Sequence, residues 1–235
     1  MKNKLLVFSA ILFTVFCQSQ IKVYTPSSSS TAKKDNSYKW AVKTDLFAFV
    51  GGEFPIAFEY RIAKKFSVEA SAGMTYAFIP NDFLSDSEDN FATSDSEAAL
   101  GSAFRGTLKY YPSEDYDAIE GWYFGLQLFS KTTNRDYVES NNFFGNTLTP
   151  NVSYNGKRDT RTKTGASLVI GKQIFQDSNI LFESYIGIGL ANVTRKFYVT
   201  NNEFINNNSV STIIPKETSK SVPSFQLGLK IGFGN

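Results

Sequence analysis

The sequence predicts an all-β protein, an antiparallel up-and-down transmembrane β-barrel with eight strands, and ten strands as the alternative count. First, apolar and polar residues alternate with a period of two in segment after segment, which is typical of strands with two unlike faces. Second, the connections between these segments differ in length in an ordered way. Third, the apolar face of each segment carries essentially no charge at mid-strand, as a lipid-facing surface requires.

The chain before residue 38 is expected to lie outside the barrel. Lys2 and Lys4 precede an uncharged, mainly apolar run at residues 5–16, which is typical of an export signal. The run is too short for a spanning helix, which needs about 20 residues. The polar, serine-rich stretch that follows has little to bury. We therefore expect a signal peptide at 1–19, a flexible periplasmic leader at 20–37 and an outer-membrane barrel domain at 38–235.

The first three segments lie close together in the chain. The first, at about residues 38–50, contains "WAVKTDLFAFV" and places Lys43 and Asp45 on one face. The second, at 52–62, contains "GEFPIAFEYRI", in which every second residue is large and apolar. The third, at 66–78, reads "FSVEASAGMTYAF" and is long for a strand of a soluble protein, where about five or six residues is typical.

Five more segments follow with the same alternation, and the sixth is the weakest. The last is "FQLGLKIGFGN", with large apolar residues at every second position. These five predicted strands lie at about 101–111, 121–131, 163–174, 180–193 and 223–233.

The connections support the meander. Those after strands two, four and six are short or modest, and those after three, five and seven run to roughly twenty to thirty residues, with the first connection as the exception. Odd and even connections lie at opposite ends of a meander, and membrane barrels have short periplasmic turns and long external loops. The stretch after strand seven could form a further hairpin, which gives the alternative count of ten.

The charged residues within the strands are expected to point inward. A lysine or arginine that faces lipid at the bilayer midplane costs about 2 to 4 kcal/mol, whereas charges inside a lumen must pair or meet water. An eight-stranded barrel is just wide enough to be filled by side chains. We therefore predict a salt-bridged, largely plugged lumen. Its charge network is expected to comprise Lys43, Asp45, Glu59, Arg61, Glu69, Arg105, Lys109, Glu183 and Lys230.

Glycines and aromatic residues add to this interpretation. The inward glycines fit either a crowded lumen or bulges and tight bends, and they are Gly73, Gly125, Gly171, Gly187, Gly189, Gly228 and Gly232. Aromatic residues near strand ends favour girdles at the two membrane interfaces, and they are Trp40, Phe66, Tyr76, Phe78, Tyr110, Tyr111, Trp122, Tyr123, Phe225 and Phe233.

Composition disfavours several functions. The chain has 24 basic and 22 acidic residues, so loss of Lys2 and Lys4 leaves 22 of each, which does not suggest a nucleic-acid binder. It has no histidine, and its single cysteine, Cys17, falls in the expected signal. A triad base and a disulfide framework are therefore missing, and only a carboxylate pair such as Glu59 and Glu69 could act as acid and base. We expect no enzyme, no cofactor and no metal site.

The C-terminal stretch and the opening of the barrel domain support a resemblance. The sequence resembles the small eight-stranded outer-membrane barrels of Gram-negative bacteria, which include the membrane part of OmpA and the OmpX and OmpW types. Its opening is also similar to uncharacterised outer-membrane proteins whose first strand reads K-T-[ND]-L. The resemblance implies a C-terminal assembly signal that the barrel-insertion machinery recognises, and the matching residues are Gln226, Gly228, Ile231 and Phe233.

We therefore expect a monomer in the outer membrane, surrounded by lipid, with a structural or adhesive role for its exposed loops and no nucleic-acid partner. The first alternative is a narrow channel for small or hydrophobic solutes, as in the OmpW type. The second is a soluble exported barrel that binds a ligand in an apolar lumen, with its charges facing outward.

Overall fold

The structure, a computed structural model, describes residues 38–76, 96–113, 119–137, 156–176, 179–205 and 208–235. Eight antiparallel strands follow one another around a closed barrel, and the last strand pairs with the first. This confirms the predicted all-β, up-and-down fold with eight strands. The expected signal peptide, the leader and Phe78 lie outside the described residues.

The strands lengthen along the chain, from 6 residues in the first to 27 in the last. Their bounds are β1 Trp40–Asp45, β2 Glu53–Ala63, β3 Phe66–Tyr76, β4 Ser96–Tyr110, β5 Gly121–Tyr137, β6 Arg158–Phe175, β7 Ile180–Ile205 and β8 Asn208–Gly234.

The first strand ends sooner than the sequence predicts, because a short helix, α1 (Leu46–Val50), replaces its second half. The Asp45 carboxylate accepts hydrogen bonds from the backbone N–H groups of Phe47 and Ala48, at 3.1 and 3.3 Å, and so caps the helix. Gly52, with φ of 67°, then returns the chain to β2. As a result, β1 pairs with β8 only between residues 41–45 and 230–234.

The prediction of a long loop after strand seven is wrong. β7 and β8 instead continue as a paired ribbon up to Ile205 and Asn208. Beyond Lys196, these two strands pair only with each other among the described residues. Pro215 and Pro223 interrupt the sequence pattern, yet they fit here because the other side of β8 has no strand partner at these positions in the described chain.

The two ends of the barrel differ. One end, which we call the turn end, holds residues 64–65 between β2 and β3, the described residues 111–113 and 119–120 between β4 and β5, and residues 176 and 179 between β6 and β7. The other end, which we call the ribbon end, holds the β7–β8 ribbon and the extensions of β5 and β6. The two ends therefore differ as the sequence predicts. At β7 and β8, however, the difference consists of longer paired strands and not of a longer loop.

The outer face of the wall is apolar. On β7, Phe182, Ile186 and Ile188 are exposed, while Glu183 between them is fully buried. The other strands repeat this arrangement, with exposed residues that include Ile56, Phe58, Phe104, Leu108, Leu126, Leu168, Phe225 and Leu227. On β7 the stretch whose outward residues are apolar covers residues 180–190.

Within the apolar stretch of the described strands, one charged residue breaks this rule. Lys172 on β6 lies between the exposed residues Ile170 and Ile174, so it shares the outward parity of the strand. The expectation that all strand charges fall on the inward face is therefore wrong at this position. In the described chain, no helix combines the length and apolar character needed to cross a bilayer.

Candidate functional site

Six charged residues meet inside the barrel, and we call them the lumen cluster. The strand alternation points their side chains inward from six of the eight strands, and each residue is at most 5% exposed. The members are Lys43 on β1, Glu59 on β2, Glu69 on β3, Lys109 on β4, Glu183 on β7 and Lys230 on β8. All six belong to the charge network that the sequence predicts.

The ion pairs of the lumen cluster are multiple rather than pairwise. The Nζ atom of Lys43 lies 2.5 Å from a carboxylate oxygen of each of the three glutamates. Lys109 also reaches all three, at 2.7 to 3.1 Å. Lys230 contacts Glu69 at 2.6 Å and Glu183 at 3.1 Å. Three ammonium groups thus neutralise three carboxylates, which offsets the cost of burying each charge.

Two tyrosines complete the hydrogen bonding of the carboxylates. Tyr111 donates its hydroxyl proton to Glu59 at 2.7 Å, and Tyr123 donates to Glu183 at 2.5 Å. Both rings are buried, at 3% and 1% exposure. Their predicted place in an aromatic girdle is therefore wrong, because consecutive residues of a strand face opposite sides. Their neighbours Tyr110 and Trp122 take the outward positions instead.

Apolar residues close the turn end next to the lumen cluster. Ile119 is fully buried, and Tyr38 stacks on Phe175 with ring centroids 3.7 Å apart. Gln173 joins these residues to the charges, because its Nε2 donates to the carbonyl oxygen of Ile119 at 2.6 Å and its Oε1 accepts from Lys43 at 3.2 Å. Ile119, which precedes β5, thus contributes its buried side chain to the barrel interior.

A second polar group lies beside the cluster. Arg105 pairs with Glu53 at 2.5 Å, and Lys131 approaches the same carboxylate at 3.7 Å. The Asp45 carboxylate accepts from the hydroxyl of Tyr185 at 2.7 Å. Asp45 and Arg105 therefore face inward as expected, but their partners lie outside the lumen cluster. Glu53 and Tyr185 were not among the predicted network residues, although both share the inward parity of their strands.

Arg61 is the predicted network residue that the structure places apart. It is half-buried near the turn that follows β2. Its Nη1 atom is buried without a hydrogen-bond partner in the part of the chain that the structure describes.

Two inward glycines make room for aromatic rings. Gly171 lies opposite Tyr123 and Gly228 lies opposite Tyr185 in the strand pairs. A Cβ atom at Gly228 would overlap the ring of Tyr185, and one at Gly171 would lie 2.5 Å from the hydroxyl of Tyr123. At these two positions the crowded-lumen interpretation is the correct one.

The lumen cluster also has the acidic composition of a metal site. One carboxylate oxygen from each of Glu59, Glu69 and Glu183 lies within 4.8 Å of the others. The ammonium groups of Lys43, Lys109 and Lys230, however, already contact these oxygens. A metal ion would have to displace them, so the donor set fits internal neutralisation better than metal binding.

The predicted assembly-signal residues all lie on β8. Gln226 donates to Ser167 at 3.1 Å, and Gly228 faces Tyr185. Phe233 is 56% exposed and meets Trp40 edge to face, with centroids 5.9 Å apart, while Ile231 is half-buried on the same outward parity. The expected recognition by an insertion machinery stays a prediction.

Comparisons of the chain with protein-family models, with curated proteins and with solved structures give no match.

Proposed function

We propose that the chain is an integral outer-membrane β-barrel whose lumen is plugged by the lumen cluster, with a structural or adhesive role and no catalysis. The observation that carries the proposal is the inversion of polarity across one wall. On β7, Ile188 is 62% exposed whereas Glu183 is fully buried. A soluble barrel with an apolar ligand cavity requires the reverse arrangement.

The extent of the apolar surface supports a lipid environment. Soluble monomers rarely expose contiguous apolar patches larger than a few hundred square ångströms. Here exposed Phe, Leu, Ile and Val side chains occur on the outer face of strand after strand. Lipid is the solvent that makes such a surface stable.

Aromatic residues at the turn end support the same environment. Trp122 is 58% exposed and Phe66 packs against Tyr110 with centroids 5.2 Å apart on the outer face. Together with the Trp40 and Phe233 pair, these rings mark the level at which a membrane interface would cross the barrel.

The plug argues against the channel alternative. Lys43 and Lys109 each contact all three glutamates of the lumen cluster, and Lys230 contacts Glu183. These seven distances are 2.5 to 3.1 Å. An ion that crossed the barrel would have to break this network. The working part is therefore the ribbon end, where β8 is largely exposed from residue 212 to 219.

Fractionation of cells that express the full chain tests the proposal. The protein is expected in the outer-membrane fraction, resistant to washing with salt and released only by detergent. Protease added to intact cells should cleave within the ribbon end and spare the turn end. Recovery of folded protein in the soluble fraction without detergent would contradict the proposal.

A further inference from the structure

A cavity of about 540 Å³ opens on the outer surface at the turn end, between Pro112, Ser113 and Glu120 on one side and the ends of β5 and β6 on the other. Its lining includes Glu120, Trp122, Lys172 and Ile174, together with Pro112 and Ser113. The cavity therefore combines a carboxylate, an ammonium group and apolar surface at the level of the exposed aromatic residues.

Lys172 is unusual for its position. It is the charged residue on the outward face of the apolar stretch among the described strands, and it lies directly opposite Trp122 in the β5–β6 pair. Its Nζ lies 5.8 Å from the centre of the Trp122 ring. A lysine on a lipid-facing strand is costly unless its head reaches the interface or meets an anion there.

Glu120 supplies the opposite charge. Burial raises the pKa of its carboxyl group, although the backbone N–H of Phe175 donates to Oε1 at 3.3 Å and partly opposes this effect. Among the described residues, neither Glu120 nor Lys172 forms an ion pair, with each other or with a third group. A bound cation would offset the cost of burying the Glu120 carboxylate.

We propose that this cavity binds the headgroup of a phospholipid that carries both a phosphate and a primary ammonium group, as phosphatidylethanolamine does. Lys172 contacts the phosphate, Glu120 accepts hydrogen bonds from the ammonium group, and Trp122 and Ile174 contact the start of the acyl chains. The two unpaired charges of opposite sign match a zwitterion better than an anion. This inference rests on the proposed membrane location.

Native mass spectrometry of the full-length protein, released from detergent micelles that contain one added lipid, tests the inference. We expect phosphatidylethanolamine to be retained about tenfold more than phosphatidylglycerol, which lacks the ammonium group. Loss of one charge-assisted hydrogen bond weakens binding by at least about this factor. Phosphatidylcholine, whose quaternary ammonium cannot donate a hydrogen bond, is expected to fall between them. Equal retention of the three lipids would overturn the proposal.

Two variants separate the two contacts. Lys172→Gln is expected to reduce the retention of all three lipids, whereas Glu120→Gln is expected to remove only the preference for phosphatidylethanolamine. Lys196→Gln is the matched control, because Lys196 is an exposed lysine at the ribbon end that pairs with Glu217 at 3.6 Å. An effect of Lys196→Gln equal to that of Lys172→Gln would show charge-dependent adhesion without a site.

A competition experiment distinguishes a lipid from a free anion. Inorganic phosphate in excess should not displace the retained lipid, because it makes no contact with Trp122 and Ile174. Displacement by phosphate would assign the cavity to a soluble anion and overturn the lipid proposal. If the protein fractionates with membranes and Lys172→Gln retains lipid normally, this inference fails while the proposed function stands.

Discussion

Lys43 on β1 and Glu183 on β7 approach to 2.5 Å inside the barrel, although 140 residues separate them along the chain. β8 pairs with β1 on one side and with β7 on the other, so this contact links the two neighbours of β8 across the barrel interior. β1 pairs with β8 over only a few residues, so side-chain contacts across this seam supplement a short ladder of backbone hydrogen bonds.

The first prediction concerns the charge balance of the lumen cluster. Glu183→Gln leaves three buried ammonium groups against two carboxylates, and removal of one partner of a buried pair typically costs about 3 to 5 kcal/mol. We expect a loss of this size in the free energy of unfolding, measured by urea titration in lipid vesicles with tryptophan fluorescence. Asp136→Asn is the control, because its pair with Arg158 is about half exposed and such pairs contribute about 0 to 1 kcal/mol.

A double variant tests whether balance or the individual contact matters. Lys43→Met combined with Glu183→Gln restores equal numbers of buried charges. We expect it to lose less stability than the sum of the two single variants, because no uncompensated charge remains. Simple additivity would mean that the six charges do not act as one network.

The second prediction concerns the space that Gly228 leaves for Tyr185. A Cβ atom at residue 228 would overlap the ring, so Gly228→Ala is expected to cost about 1 to 3 kcal/mol through overpacking. Gly106→Ala is the matched control, because no atom lies within 4 Å of its added Cβ. The free energy of unfolding, measured on purified protein that has been refolded into vesicles, gives this cost without any insertion machinery.

A rescue experiment makes the second prediction specific. In a Tyr185→Ser background the ring is absent, so Gly228→Ala should cost much less than in the original chain. An unchanged cost would show that the backbone of β8, rather than the Tyr185 ring, requires glycine at this position.

The third prediction concerns conduction. The original chain is expected to give no current steps in planar bilayers if the lumen is plugged as proposed, because the side chains of the lumen cluster and of Ile119 are buried inside the barrel. Lys43→Ser combined with Glu183→Ser keeps the charge balanced but removes two long side chains, and small leak currents are expected. Stepwise conductance of the original chain would instead support the channel alternative.

Strand parity predicts much of the interior from the sequence alone. Glu59 and Glu69 lie on the polar face of their strands in a simple period-two pattern, and both point inward. Parity also predicts that Tyr123 faces inward if Trp122 faces outward, because consecutive residues of a strand face opposite sides. The same reasoning applies to Lys172, which shares the parity of Ile170 and Ile174. At Tyr123 and Lys172, strand parity therefore predicts the orientation of the side chain better than its aromatic or charged character does.

Other features depend on tertiary contacts that a single sequence does not contain. The short helix after Asp45 is different, because its apolar run fits a strand equally well while the Asp45 cap is a local signal that the sequence does contain. Pro215 suggests a loop, yet it fits β8 where this strand lacks a second partner in the described chain. The meeting of six charges from six strands depends on barrel closure, and parity predicts only that each one points inward.

The last prediction concerns the outer face. Ile186 is 60% exposed near the middle of the apolar stretch of β7, whereas Ser221 is exposed on β8 beyond Phe225 and toward the ribbon end. If lipid surrounds this wall, Ile186→Arg should cost about 2 to 4 kcal/mol of unfolding free energy in vesicles, and Ser221→Arg about 0 to 1 kcal/mol. In water both substitutions would be nearly neutral, because an exposed arginine needs no partner there. Equal and small losses in vesicles would therefore contradict a lipid-facing wall, since the midplane penalty is a property of the bilayer and not of the fold.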